Sequence, residues 1–153
     1  MEVTLLAAED IPGLDSYHVN HLLRADVSSW SAVTMEADDR RFIIHNTSHA
    51  PTRQESNIMH EAAHILCKHP PGEIVRFGPF SLRRYNQDQE DEAEWLGAVL
   101  QIPRKGLLRL ARDRMPVSAI AEHFGASEQM VTYRLDKGGV RKQLRYERRK
   151  RSR

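Results

Sequence analysis

The segment His60-Glu61-Ala62-Ala63-His64 constrains the fold of this chain more than any other. On an α-helix, residues four apart lie one turn apart on the same face, so the imidazoles of His60 and His64 can both reach one metal ion. Glu61 would flank that metal, where a carboxylate can take a proton from a water molecule. The spacing is the H-E-x-x-H arrangement of zinc metallohydrolases, and it requires a rigid, partly buried helix.

The residues around this segment predict the helix that the motif requires. Thr52-Arg53-Gln54-Glu55 has the pattern of a capping box and predicts a helix that begins near Arg53. Pro70-Pro71-Gly72 predicts its end. Between them an apolar face recurs at helical spacing, formed by Ile58, Met59, Ala62, Ala63, Ile65 and Leu66. The two histidines would therefore lie in mid-helix, and a solvent-facing helix with two unrelated histidines is the alternative.

A catalytic zinc site needs a third protein ligand and leaves one position open for water. In the metzincin pattern a glycine and a third histidine follow the motif, but Cys67 and Pro70 stand at those two places, so that pattern is excluded. Cys67 lies one turn beyond His64, where a thiolate would close the site, and we expect it to be a small buried side chain instead. The third ligand should therefore come from elsewhere in the chain.

An acidic run over residues 86–95 is the best source of that ligand. It predicts a second helix, with Asp88 as its N-cap, carboxylates in its first turn and an end just before Pro103. Glu90 and Glu94 are four apart and share one face of this helix. One carboxylate could then bind the metal while the other accepts a hydrogen bond from a ligating histidine. A solvated acidic helix start is the alternative.

Together these segments resemble the ImmA/IrrE family of zinc metallopeptidases, over a stretch from about Arg41 to Leu135. The resemblance rests on a strand that ends in an Asn (residues 42–46), on the motif helix, and on residues 90–103. The last of these is similar to the family signature E-x-E-A-[ND]-x-F-A-A-x-L-L-M-P. A small helical region follows, as it does in the family.

The resemblance implies a zincin-like α+β fold and a zinc-dependent endopeptidase, with Zn²⁺ rather than manganese or iron as the metal. Carried over position by position, it places the metal on His60, His64 and Glu90, and it gives Glu61 the catalytic role of general base. The family's Asn or Asp position falls on Glu94, whose longer side chain could support a ligand or compete with Glu90 for the metal. The implied substrate is a helix-turn-helix transcriptional repressor, cut to relieve repression of a mobile element or a stress response.

Hydrolysis of a peptide bond also needs a cationic or phenolic group that stabilises the tetrahedral oxyanion. Tyr85, His49 and His69 are candidates by residue type. Each of them could equally be structural, so the sequence favours none.

The rest of the metal-binding domain predicts a small sheet. Residues 14–26 predict a first helix, and residues 30–35 and 42–45 predict strands. One further strand is expected at 74–77 or at 80–82. The prediction is an α+β domain in which a small, mainly antiparallel sheet packs on the motif helix and the acidic helix.

After Pro103 the pattern is helical. Ala121, Gly125 and Val131 have the spacing of a helix-turn-helix, with Ser127 as the cap of its second helix. Such a pair packs in many proteins that do not bind DNA, and the family resemblance favours packing or partner recognition. The chain would thus comprise a zincin-like metallopeptidase core at 1–103, a helical subdomain at 104–139 and a basic tail at 140–153.

Positive charge is concentrated at the C-terminal end. The net charge is +2, yet residues 141–153 carry eight Lys or Arg and one Glu, a local charge of +7 against −5 for the remainder. A basic tail of this kind favours contact with nucleic acid or with an acidic partner, and a purely solubilising tail is an equally good interpretation. A non-catalytic DNA-binding or regulatory protein that uses the helix pair and the tail is therefore the alternative to a peptidase.

Cysteine content and hydropathy limit the cellular compartments in which this protein is expected. Cys67 is the only cysteine, which excludes an intramolecular disulfide and fits a reducing environment. No apolar stretch approaches the ~20 residues needed to span a bilayer. Leu5-Leu6-Ala7-Ala8 is short and lacks the basic leader of a signal peptide. We expect a cytoplasmic protein with no membrane partner.

Overall fold

The computed structural model describes residues 2–25, 27–37, 40–70, 74–77, 80–83 and 86–152. The α-helices in these ranges are α1 (Ser16–Asn20), α2 (Pro51–Cys67), α3 (Gln87–Gln101), α4 (Arg104–Arg112), α5 (Val117–Phe124), α6 (Glu128–Lys137) and α7 (Val140–Arg151). The strands are β1 (Val3–Ala7), β2 (Ala32–Ala37), β3 (Arg40–His45), β4 (Ile74–Phe77) and β5 (Phe80–Arg83). The α+β class is therefore confirmed. Within these ranges, none of the helices combines the length and the apolar character needed to cross a bilayer.

The main sheet has three strands in the order β1-β3-β2. β2 runs antiparallel to β3, with Ala32 opposite His45, whereas β1 runs parallel to β3, with Val3 opposite Arg41. The main sheet is therefore mixed rather than mainly antiparallel: the expected antiparallel pairing is found for β2 with β3, and the expectation did not include β1. A parallel pairing needs a long crossover and leaves no local turn signal in the sequence. β4 and β5 form a separate antiparallel pair, so both candidate segments for the further strand are strands.

The first helical segment is less regular than its prediction. α1 ends at Asn20 and continues as a π-helical turn over His21–Ala25, while Asp26, the last residue of the predicted helix, lies outside the described residues. Asp15 caps α1, since its carboxylate accepts a hydrogen bond from the His18 amide at 2.9 Å.

The two site-bearing helices begin at other residues than predicted. α2 begins at Pro51, without a side-chain cap, rather than near Arg53. Proline suits the first helical position because it has no amide hydrogen to leave unpaired, so the Thr52 capping box is not used. α3 is capped by Asn86 rather than Asp88: the Asn86 side-chain oxygen accepts from the amides of Asp88 (3.1 Å) and Gln89 (3.4 Å). α2 ends at Cys67, and of the predicted stop only Pro70 lies among the described residues.

A buried asparagine fixes the connection from the sheet to α2. Asn46 follows β3 and is fully buried. Its side-chain amide nitrogen donates to the Trp30 carbonyl at 3.2 Å, and its side-chain oxygen accepts from the Ser48 backbone amide at 3.0 Å. These bonds hold the turn that precedes α2, which packs against β2, β3 and α3. The expected packing of the sheet and the acidic helix on the motif helix is therefore observed.

A hydrophobic core lies beyond α3. Its buried members are Ile102, Leu107, Leu108, Leu110, Ile120, Ala121, Ala126, Val131, Leu135 and Val140. Gly125 takes the left-handed conformation (φ +58°) between α5 and α6. Ser127 caps α6 as predicted, accepting from the Met130 amide at 3.1 Å. The buried Arg134 of α6 donates from Nε to the Ile102 carbonyl at 3.3 Å, which joins this core to the end of α3.

The predicted basic tail forms a helix for most of its length. α7 is joined to α4 by a salt bridge between Arg112 and Glu147, with Nη2 and Oε1 2.6 Å apart. Arg104 donates from Nε to the Gly138 carbonyl at 2.9 Å and from Nη2 to Gln143 at 2.6 Å. The division of the chain at residues 103 and 139 stays a prediction.

Candidate metal centre

The two motif histidines face each other from successive turns of α2. The Nε2 atoms of His60 and His64 lie 3.0 Å apart, and the ring centroids 4.7 Å apart. This is the arrangement that the i, i+4 spacing predicts. Side-chain exposures of 31% for His60 and 20% for His64 leave both rings in reach of solvent.

Glu90 joins the histidines from the first turn of α3. Its Oε2 lies 3.2 Å from Nε2 of His60 and 3.6 Å from Nε2 of His64. These three side chains form a cluster whose ligand atoms lie within 4.8 Å of one another. Glu94, the other candidate on this face, is exposed and belongs to neither of the two clusters among the described residues that could hold a metal ion. The structure thus brings together His60, His64 and Glu90 and leaves Glu94 outside.

The spacing of these donor atoms fits a tetrahedral metal ion. Two ligand atoms each about 2.0–2.1 Å from Zn²⁺ lie about 3.3 Å apart in a tetrahedron. The three separations in the cluster, 3.0, 3.2 and 3.6 Å, bracket that value. Two imidazoles with one carboxylate are a donor set that zinc accepts. The partial exposure of all three side chains also leaves room for water on the solvent side.

The protonation state of His64 favours the same role. Burial, and next the neighbouring His60, lower the pKa of His64 from its ordinary value of 6.5. The nearby carboxylates of Glu90 and Glu61 act in the opposite direction and only partly offset this. His64 is therefore neutral near pH 7, as an imidazole must be to donate a lone pair to a metal.

Glu61 has a partner that the sequence did not indicate. The Thr34 hydroxyl of β2 donates to Oε2 of Glu61 at 2.7 Å. β2 is an edge strand of the sheet, so this bond connects the sheet to the turn of α2 that carries His60. The only sequence signal is the position of Thr34 within a predicted strand, and a strand alone does not say which helix its side chains meet.

A second cluster lies beside the first. It consists of Cys67, His69 and Glu92. His69 lies with its Nδ1 2.9 Å from Nδ1 of His64 and its Nε2 3.1 Å from Oε2 of Glu92. Desolvation, and next the Glu92 carboxylate, raise the pKa of the Cys67 thiol, which favours its protonated form. Cys67 is half-buried next to Glu92 rather than a filler of the core.

The three candidates for oxyanion stabilisation differ in their surroundings. His49 is buried, and its Nε2 lies 2.9 Å from the Val27 carbonyl oxygen, so that nitrogen serves the loop before β2. His69 is engaged by His64 and Glu92. Tyr85 lies outside the described residues.

Comparison with known proteins places the chain by family. A family model described as Peptidase_M78, the IrrE N-terminal-like domain, matches residues 17–136. This stretch contains the cluster of His60, His64 and Glu90, together with Glu61, Thr34 and the second cluster. No curated protein and no solved structure matches the chain.

Proposed function

Because the chain belongs to the IrrE N-terminal-like peptidase family, we propose that it is a zinc-dependent endopeptidase. Family membership indicates a metallopeptidase, which acts on a protein substrate. The observation that carries the finer proposal is the meeting of His60, His64 and Glu90 from two helices at the spacing of zinc ligands. A helix pair of this kind beside a small sheet also supports a zincin-like fold.

The proposed mechanism assigns proton transfer to Glu61. A bound Zn²⁺ would polarise the scissile carbonyl and make a water molecule more acidic. Glu61 takes a proton from the attacking water as the water oxygen bonds to the carbonyl carbon. It then gives that proton to the amine nitrogen as the C–N bond breaks. Thr34 holds Oε2 of Glu61, which fixes the direction of the carboxylate and leaves Oε1 for the water.

The proposed substrate is a transcriptional repressor of the helix-turn-helix class, cut to relieve repression of a mobile element or a stress response. The support is the resemblance of residues 41–135 to the ImmA/IrrE family. We propose that the α5–α6 pair, which is joined by a turn at Gly125, recognises such a partner. Such a substrate and the single Cys67 fit a cytoplasmic enzyme.

The test combines zinc analysis with cleavage of a purified repressor. We expect the wild-type protein with zinc to cut the repressor once, and Glu61→Gln to leave it intact while holding the same amount of zinc. Equal cleavage by both proteins would contradict the role of Glu61. Absence of zinc from the wild-type protein would contradict the metal assignment.

We propose nucleic-acid contact through α7 as a second candidate, on one observation. A groove on α7 and the end of α6 is lined by Asp136, Arg141, Lys142, Arg145, Tyr146 and Arg149. Arg141 pairs with Asp136 at 2.9 Å, whereas Lys142, Arg145 and Arg149 make no ion pair among the described residues. Three such cations on a DNA backbone give a slope of roughly −3 for log affinity against log salt. Replacing all three with Gln should remove that slope, and an unchanged slope would contradict this candidate.

A further inference from the structure

We propose that His69 and Glu92 set the tautomer of His64, so that its Nε2 is left with a lone pair for the metal. His69 and Glu92 are thereby positioning residues, since neither is among the three ligands. The inference rests on the proposed zinc site, and it concerns how one ligand of that site is prepared.

The turn after α2 brings His69 back over His64. Lys68 ends the helix in the left-handed conformation (φ +57°), a conformation that costs energy for a residue other than glycine. The amide of His69 donates to the His64 carbonyl at 3.0 Å, and that of Lys68 donates to the Ile65 carbonyl at 3.2 Å. The His69 side chain is only 7% exposed, so its ring is held in place rather than free in solvent.

The positions of the protons on His64 and His69 follow from the carboxylate of Glu92, which is the last acceptor in this series of hydrogen bonds. The carboxylate of Glu92 can only accept, so Nε2 of His69, 3.1 Å away, carries the hydrogen of that bond. In a neutral imidazole the other nitrogen is then an acceptor, and Nδ1 of His69 accepts from Nδ1 of His64 at 2.9 Å. His64 thus carries its proton on Nδ1.

This tautomer of His64 is the one that the proposed zinc site of His60, His64 and Glu90 needs. With its proton on Nδ1, His64 presents an unprotonated Nε2 toward Nε2 of His60 (3.0 Å) and Oε2 of Glu90 (3.6 Å). A ligating histidine commonly donates its other N–H to a carboxylate or carbonyl, which orients the ring and raises its basicity. Here a second histidine is inserted between ligand and carboxylate.

The same side chains could instead form a second metal site with Cys67, and the two arrangements exclude each other. A metal ion on Nε2 of His69 would displace the hydrogen that Glu92 accepts. The remaining proton of His69 would then lie on Nδ1 and face Nδ1 of His64, which would have to give up its own. The observed hydrogen bonds of His69 to His64 and to Glu92 favour the hydrogen-bonded arrangement.

The experiment has two readouts besides activity. Long-range ¹⁵N–¹H spectra of the metal-free protein identify the tautomer of each histidine, and chelator competition gives the zinc affinity. The variants are His69→Phe, which keeps a ring without nitrogen, and His69→Gln, whose amide oxygen can still accept from His64. Glu92→Ala is matched by Asp91→Ala, which removes a neighbouring exposed carboxylate that bonds only to Gln87 among the described residues.

We expect His64 in the Nδ1–H form in the wild type and a loss of zinc affinity of about 10–100-fold in His69→Phe. His69→Gln should keep most of the affinity, and Glu92→Ala should weaken binding more than Asp91→Ala does. If His69→Phe does not fold, the wild-type tautomer and the other variants still decide. An Nε2–H form of His64, full affinity in His69→Phe, or a second zinc equivalent lost in Cys67→Ser would overturn the proposal. A wild-type protein with the Nδ1–H form but no zinc binding would overturn the proposed function instead.

Discussion

The backbone of Gly97 on α3 packs directly against that of His60 on α2. A Cβ atom on residue 97 would lie 3.1 Å from the Cα of His60, and equally 3.1 Å from its amide nitrogen and from the Met59 carbonyl oxygen. Real Cβ atoms seldom approach backbone this closely, so the absence of a side chain sets the distance between the two helices. Glu90 lies two turns earlier on the same helix, and its reach to the histidines depends on that distance.

Gly97→Ala should therefore push α3 away from His60 and His64, the proposed metal ligands on α2. Overpacking of this kind costs about 1–3 kcal/mol, and the better helix propensity of alanine returns up to about 1 kcal/mol. We expect a net loss of up to about 2 kcal/mol in the free energy of unfolding of the metal-free protein, measured in urea, together with weaker zinc binding.

Gly106→Ala is the matched control for this substitution. Its Cβ would meet only the Phe124 ring, at 3.2 Å, and a side chain can turn aside. It should leave the zinc affinity unchanged. If Gly97→Ala binds zinc and resists urea as well as the wild type, the close approach is not what positions Glu90.

Thr34 should be needed for a high catalytic rate but not for zinc binding. Thr34→Val keeps the shape of the side chain and removes the hydroxyl that donates to Glu61 at 2.7 Å. A hydrogen bond to a charged group contributes about 1.5–3 kcal/mol, so kcat should fall about tenfold or more, with unchanged zinc content. Thr34→Ser, which retains the hydroxyl, should restore most of the rate. A Thr34→Val enzyme of full activity would show that the bond does not orient Glu61.

The stability contributed by the salt bridge between Arg112 of α4 and Glu147 of α7 should fall as the pH is lowered. The hydrogen bond from Arg112, and next that from Gln143, lower the pKa of Glu147 from its ordinary 4.5 to about 2. A depressed carboxyl pKa contributes stability that is present above pH 4.5 and is lost as the pH falls toward 2. The side chains of Glu147 and Arg112 are 29% and 49% exposed, so salt should weaken this contribution.

Glu147→Gln is the variant that isolates this contribution. Its deficit in urea midpoint relative to the wild type should be constant from pH 7 to about 5 and should shrink between pH 4.5 and 3. If the deficit in urea midpoint stays the same or grows as the pH falls, the ionised carboxylate of Glu147 does not stabilise the contact between α4 and α7.

The part of the site that lies in local sequence was predictable. The spacing of His60 and His64 fixes their common face as soon as the segment is helical, and the apolar residues around it predict that helix. Glu90 could be predicted as a candidate third ligand because an acidic helix start is visible in the sequence. The choice of Glu90 over Glu94 came from the family resemblance. The α+β class followed from alternating strand patterns next to long helical ones.

The remainder depends on contacts between distant segments. β1 joins β3 in parallel, with more than thirty intervening residues and no turn signal to mark the pairing. Thr34 meets Glu61 only through the register of β2 on α2. His69 reaches His64 because Lys68 adopts a left-handed turn, for which the sequence would have favoured glycine or asparagine. Each of these is a product of tertiary packing rather than of local propensity.

The most direct test of the proposed zinc site is the zinc content of the wild-type protein beside that of its Glu90→Gln and Glu94→Gln variants. The two substitutions remove the same charge from the same helix, but only Glu90 lies 3.2 Å from the His60 nitrogen. We predict one tightly held zinc ion per chain in the wild type and in Glu94→Gln, and loss of that ion in Glu90→Gln. Retention of zinc by Glu90→Gln, with its loss from Glu94→Gln, would contradict the proposal that Glu90 is the third zinc ligand.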